Sequence, residues 1–185
     1  PKSAFSFLHR KHLRIGIVYI NSRNVGDLII SDSVKYLISK VFASHSIKNY
    51  KYTMIDIGER KAGAVVPPAN FVKSQSNRTF RNKYEASWKK SGRYYFLKST
   101  QLPKIKQVDL LVFVGGDIIK CHSSNWYLYI DEITKYADKY KVPVIFNAGG
   151  VHGCKHNDDR CAMLRTAMNR ECVQAVSTRD NVAIL

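Results

Sequence analysis

Two rhythms alternate along this chain. Short, β-rich apolar runs recur at 14–20 (RIGIVYI), 52–57, 109–114 (DLLVFV), 143–146 and 173–177, each of strand length. Between them apolar residues return at helical spacing. Ile30, Val34, Leu37, Ile38 and Val41 do so after the first run, with Asp27 where an N-cap belongs. Trp126, Tyr129, Ile130, Ile133, Ala137 and Tyr140 do so after the DLLVFV run, and a third helix from about 158 to 170 carries Cys161, Leu164 and Met168. The stretch 63–107 breaks the rhythm: Pro67-Pro68 interrupts any helix, and one or two helices with mobile loop are expected. The last run leads through Thr178-Arg179-Asp180 into the first turn of another helix. Strands alternating with helices of this length predict a Rossmann-like α/β fold, an open, mostly parallel sheet with helices on both faces.

The informative pattern lies in the loops at the strand ends. Four strands run into polar, glycine-rich or charged loops: Asn21–Asp27 (NSRNVGD), Gly115-Gly116-Asp117, Asn147–Gly153 (NAGGVHG) and Ser177–Asp180 (STRD). In an open parallel sheet such loops share the carboxyl edge, where ligands bind. Glycine there lets backbone approach a ligand closely, and helix N-termini favour anions. No strand is followed by GxGxxG and no Walker sequence occurs, so neither a dinucleotide nor an ATP site is expected.

Composition narrows the setting. A chain of 185 residues with 45% hydrophobic content suits one domain, or one domain and a stub, and residues 1–13 read as a basic extension ahead of it. No apolar run reaches membrane-spanning length, and the opening PKSAFSFLHRKHLRIG lacks a signal-peptide core. A cytoplasmic setting is therefore expected, with a peripheral membrane position compatible with the charge. Cys121, Cys154, Cys161 and Cys172 form no CxxC pair and are expected to be reduced. With 30 Lys+Arg against 14 Asp+Glu, a formal charge of +16 biases the chain toward anionic partners: phosphorylated small molecules, nucleotide- or lipid-linked sugars, anionic membrane surface, or nucleic acid. Between Lys73 and Lys106 ten basic residues face only Glu85. The aromatic residues Phe80, Tyr84, Trp88, Tyr94, Tyr95 and Phe96 are interleaved there in the manner of single-strand binders. No RRM, KH, OB or zinc-finger pattern accompanies them, so nucleic acid is disfavoured against a solvated charged face or a surface for an anionic glycan carrier or membrane.

The order NxGD at the first helix, DLLVFVGGD, PVIFNAGG and VSTRDNVAIL resembles the polysaccharide pyruvyl transferase family, over about Ile15 to Leu185. The family's two Rossmann-like domains have the layout of GT-B glycosyltransferases. The resemblance implies that residues 14–185 are the N-terminal half of such an enzyme, with a second domain outside this chain. It implies transfer of the enolpyruvyl unit of phosphoenolpyruvate to a saccharide hydroxyl as a pyruvate ketal, in cell-surface polysaccharide biosynthesis, with an acceptor that is lipid- or nucleotide-linked. No cofactor is required. A GT-B-like glycosyltransferase using a nucleotide sugar and a non-catalytic anion-binding module stand as alternatives.

Residue by residue, Arg179 is the first candidate, since its planar fork suits a carboxylate or phosphate; the competing role is a structural ion pair with Asp180 or a neighbouring loop. His152 titrates in the range useful for protonating the enol methylene or for activating the acceptor hydroxyl. Asp27 and Asp117 are candidate bases or hydroxyl binders, although carboxylates at helix starts are commonly caps. Asn24 and Asn147 can hydrogen-bond sugar hydroxyls, or satisfy their own turns. Gly26, Gly115, Gly116, Gly149, Gly150 and Ser177 complete the expected binding edge. His152, Cys154, His156 and Cys161 have zinc-ligand chemistry but no standard spacing, so no metal is expected, and a Cys154–Cys161 disulfide is disfavoured by the expected setting.

Overall fold

The computed structural model describes residues 12–20, 25–57, 85–120, 126–152 and 158–179. Five strands form one sheet in the order β2-β1-β3-β5-β7, every neighbouring pair parallel: β1 (Leu13–Tyr19), β2 (Tyr50–Asp56), β3 (Leu110–Val114), β5 (Val144–Gly149) and β7 (Val173–Thr178). Two short strands, β4 (Ile119–Lys120) and β6 (Val151–His152), pair separately and are also parallel. Among the described residues the helices are α1 (Val25–Ser44), α2 (Gly92–Phe96), α3 (Leu102–Ile105), α4 (Trp126–Lys139) and α5 (Asp159–Met168), with a π-helical turn Leu97–Gln101 joining α2 to α3. Residues 85–89 are helical as well.

The order of the strands dictates where the helices lie. From β1 the chain steps one way to β2, then crosses back over β1 to β3 and continues outward through β5 to β7. Right-handed crossovers put the helix of the one reversed step on the opposite face from all the others. Accordingly α1, alone among the described helices, covers one face, where Val34 and Phe42 pack on Leu13, Ile15, Ile17, Leu110, Val112 and Val114. Helices α3, α4 and α5 cover the other, packing Leu102, Ile105, Ile130, Ile133 and Leu164 against Val18, Ile55, Leu111, Phe113, Val144 and Phe146. Central strand β3 is buried at every position, as an unbroken LLVFV run requires. Its Phe113 stacks on Phe146, its partner in β5, with ring centroids 4.3 Å apart. The reversal falls between β1 and β3, so the loops at their carboxyl ends open the crevice characteristic of such sheets.

The expected open, mostly parallel α/β sheet is therefore present, with three local corrections. Helix α1 begins at Val25, so Asp27 lies inside its first turn rather than at the N-cap, where its charge complements the helix dipole. The face of α1 turned to the sheet runs through Ser31, Val34, Ile38 and Phe42, while Leu37 and Val41 are more than half exposed. Strand β5 does not stop at Phe146 but continues to Gly149 through an irregularity in its pairing with β7, where Ala148 takes φ +51°. Of the basic–aromatic segment, Trp88 is buried against Tyr94 and Tyr129, at 4.8 and 5.5 Å between centroids, so that ring serves the core and offers no face for a base. Residues 58–84, including Phe80 and Tyr84, lie outside the described residues.

Candidate functional site

The carboxyl edge gathers most of the residues picked out by sequence. The turn after β3 takes Gly115 and Gly116 through positive φ, +89° and +41°, which a side chain would resist. This bends the chain over the start of α1: a Cβ at Gly115 would stand 3.1 Å from Ile30 Cγ2, and one at Gly116 would stand 3.3 Å from Asp27 Oδ1. The Gly150 N–H donates to Gly116 O at 2.8 Å, and the Ile119 N–H donates to Gly150 O at 3.1 Å, which ties the end of β5 to the β3 turn. The Arg179 N–H reaches Gly149 O at 3.4 Å. Three strand ends are thus laced together by backbone bonds before any side chain is considered.

On this frame the Arg179 guanidinium pairs with Asp117, Nη2 to Oδ1. The other carboxylate oxygen of Asp117 faces Lys120 Nζ at 3.3 Å. Partial burial raises the Asp117 carboxyl, but hydrogen bonds and charge from Lys120 and then Arg179 outweigh it, and its pKa falls below the ordinary value. Asp117 is therefore held as an anion between two cations, with its two neighbours contributing one more positive charge than it cancels. Both members of the pair are substantially exposed, 51% for the Arg179 side chain and 40% for Asp117. Such a pair adds little to stability. Its consequence is geometric: it fixes one edge of the guanidinium over Gly150 while about half of the side chain remains accessible. A Cβ at Gly150 would collide with Asp117 Oδ1 and lie 3.0 Å from Arg179 Nε and Nη2, so glycine is what allows the pair to lie against the backbone.

Asp27, Gly115, Gly116, Asp117, Gly149, Gly150 and Arg179 form one contiguous cluster. Gly26 precedes Asp27 in the same helical turn. Asn147 is partly buried and pairs with Val114, one position before the Gly115 turn. Ser177 lies exposed in edge strand β7, one residue short of Thr178, which pairs with Gly149. The backbone of His152 is paired with Lys120 between β6 and β4, which sets it beside the Asp117–Lys120 contact, and its side chain lies outside the described residues. Asn24, Cys154, His156 and Asp180 are likewise outside them, whereas Cys161, in the first turn of α5, is buried in the core. The ion pair of Arg179 is thus with a neighbouring loop, the turn after β3. Lys120 was not anticipated. Its signal in the sequence is only the three-residue spacing from Asp117, and that spacing acquires meaning once β4 turns the lysine back toward the carboxylate.

Residues 24–183 match the family model described as polysaccharide pyruvyl transferase. The match begins at the Asn24-Val25-Gly26-Asp27 element and ends three residues beyond Asp180, so it spans every strand end in the cluster. Among curated proteins none matches the chain.

Proposed function

Since the chain belongs to the polysaccharide pyruvyl transferase family, we propose that its carboxyl-edge cluster holds the donor, phosphoenolpyruvate, for transfer to a saccharide in cell-surface polysaccharide synthesis. The family implies a saccharide acceptor and a pyruvate donor in general. The observation that carries the reading to these residues is the half-exposed Arg179, anchored by Asp117 against a glycine floor beside Lys120. A donor with both a carboxylate and a phosphate needs a planar fork and a point charge close together, which Arg179 and Lys120 supply.

In this reading a proton is delivered to the methylene carbon of the enol, and two acceptor hydroxyl oxygens bond to the carbon that carried the phosphate. The carbon–oxygen bond to phosphate breaks, one hydroxyl proton balances the methyl group, and the other leaves with phosphate. Asp117, kept ionised by its two cations, is poorly suited to give or take that proton and acts by orienting Arg179. Asp27 and His152 are the remaining candidates for proton transfer, and Asn24, Asn147 and Ser177 for hydroxyl binding.

The test is phosphoenolpyruvate-dependent pyruvylation by the full-length protein with an acceptor glycan. Arg179→Ala should lower kcat/KM for phosphoenolpyruvate by roughly a hundredfold, with Arg179→Lys recovering only part because the fork is lost. Unchanged turnover in Arg179→Ala would remove the residue from the site. Turnover of a nucleotide sugar with indifference to phosphoenolpyruvate would replace the reaction itself.

A further inference from the structure

A second cationic site lies at the opposite, amino edge of the sheet. Beside the starts of β1 and β2 is a cavity of about 340 Å³ whose lining includes His12, Arg14, Lys48, Asn49 and Lys51, and no acidic side chain. The placement is set by strand register. Arg14 and Lys51 are partners across β1 and β2, and so share one face of the sheet with their side chains next to each other. The Leu13 N–H donates to Asn49 O at 2.9 Å, which ties the segment carrying Lys48 to the start of β1.

Like charges directly opposite one another in a sheet are destabilising, and here only one of them is compensated. Arg14 is braced by Asp109, with Nε to Oδ2 at 3.2 Å, Nη2 to Oδ1 at 2.9 Å and its own N–H to Oδ2 at 2.9 Å. Those bonds leave Nη1 for another acceptor. Among the described residues neither Lys48 nor Lys51 has an acidic partner, and no acidic side chain lines the cavity beside them. A rigidly held arginine flanked by two uncompensated lysines in a concave site is the arrangement that recognises a multiply charged oxyanion.

We propose that this amino-edge pocket binds a phosphoryl group, a phosphomonoester or a diphosphate, at a site separate from the carboxyl-edge cluster. Arg14 supplies the oriented donors, Lys48 and Lys51 the charge. The proposal is independent of the transfer reaction and holds whatever the carboxyl edge binds.

The experiment is calorimetric titration of the full-length protein with inorganic pyrophosphate, set beside co-sedimentation with phosphatidylcholine vesicles with and without phosphatidic acid. The variants are Lys48→Ala/Lys51→Ala and, as a control for the other edge, Arg179→Ala. Both lysines are exposed, so the double variant should keep the fold, which circular dichroism checks. Pyrophosphate binding weakened by at least about tenfold in the double variant and unchanged in Arg179→Ala is the expected result. Lysine-dependent binding to phosphatidic acid vesicles without binding of free pyrophosphate would support the pocket and identify a lipid headgroup as the source. Equal binding by parent and double variant in both arms, loss only in Arg179→Ala, or binding of neither ligand would overturn the proposal.

Discussion

At two glycines an added side chain would be crowded for different reasons, and the difference separates what the site needs from what the fold needs. At Gly150 the obstacle to a methyl group is the Asp117–Arg179 pair itself, with Arg179 Nε and Nη2 3.0 Å from where the carbon would stand. The pair is half in solvent and adds little to stability, so it can move aside at small cost. Gly150→Ala should therefore leave the urea midpoint nearly unchanged while lowering pyruvylation by roughly tenfold to a hundredfold, because a donor-binding guanidinium displaced by about 1 Å loses its geometry. At Gly16, within β1, the obstacle is core: Leu111 Cδ1 at 2.8 Å, with Ile55 Cδ1 and Val108 Cγ2 at 3.2 Å. Gly16→Ala should cost roughly 1–3 kcal/mol by overpacking and leave the turnover of the folded fraction intact. Paired denaturation and kinetic measurements on the two variants check both statements, and matching stability losses would mean that Gly150 is only another packing glycine.

Between elements, a largely buried polar connection joins α4 to the turn after α5. Asp131, on the buried side of α4, receives Arg170 Nη2 at 2.6 Å and Lys135 Nζ at 2.5 Å, and Arg170 Nη1 also donates to Asp131 O at 3.1 Å and to Thr134 Oγ1. Both Asp131 and Arg170 side chains are mostly covered, at 8% and 15% exposure. Removing one partner strands the other out of water, so Asp131→Ala should destabilise the domain by about 3–5 kcal/mol, read as a fall in the urea midpoint. A loss below about 1 kcal/mol would mark the bridge as no more than a surface pair. Sequence periodicity finds α4 and α5 but has no means of finding this bridge, since Asp131 and Arg170 are brought together only when two helices pack on the same face. The same limit explains the misassigned face of α1. Ile30, Val34, Leu37, Ile38 and Val41 fit a helical stripe as well as Ser31, Val34, Ile38 and Phe42 do; the sheet keeps Val34 and Ile38 and takes Ser31 and Phe42 in place of Leu37 and Val41. The strands were easier to read, because β3 is apolar throughout and needs no partner to be recognised.

At the scale of the molecule, the sequence made the parallel sheet and its loop-bearing edge readable because glycine, aspartate and arginine come after strand upon strand. It hid Lys120 and the amino-edge pocket, which depend on register between distant segments. It also left open how cysteine chemistry is settled by global packing. Cys172 lies in the turn that leads into β7, buried in the larger core cluster, with its thiol 3.5 Å from Thr134 O. Burial, reinforced by the charge of Asp138 and opposed by Arg170, raises its pKa to about 11. The native thiol therefore keeps its proton at pH values where an unfolded one, with a pKa near 8.5, has largely lost it. Because the native pKa is the higher, the unfolded state binds fewer protons at this group between about pH 9 and 11, so its contribution to stability declines across that window and is unchanged below about pH 8. Alkylation by iodoacetamide, resolved by peptide mass spectrometry, gives an independent measure. At pH 8 Cys172 should react only through opening of the core, slower than in urea by a factor approaching the global unfolding constant, because its cover comes from α4 and the turn after α5 together. Labelling of Cys172 in the native protein at the rate seen in urea would mean that this end of the sheet opens on its own, and the Asp131–Arg170 bridge would then be holding together less of the molecule than its burial implies.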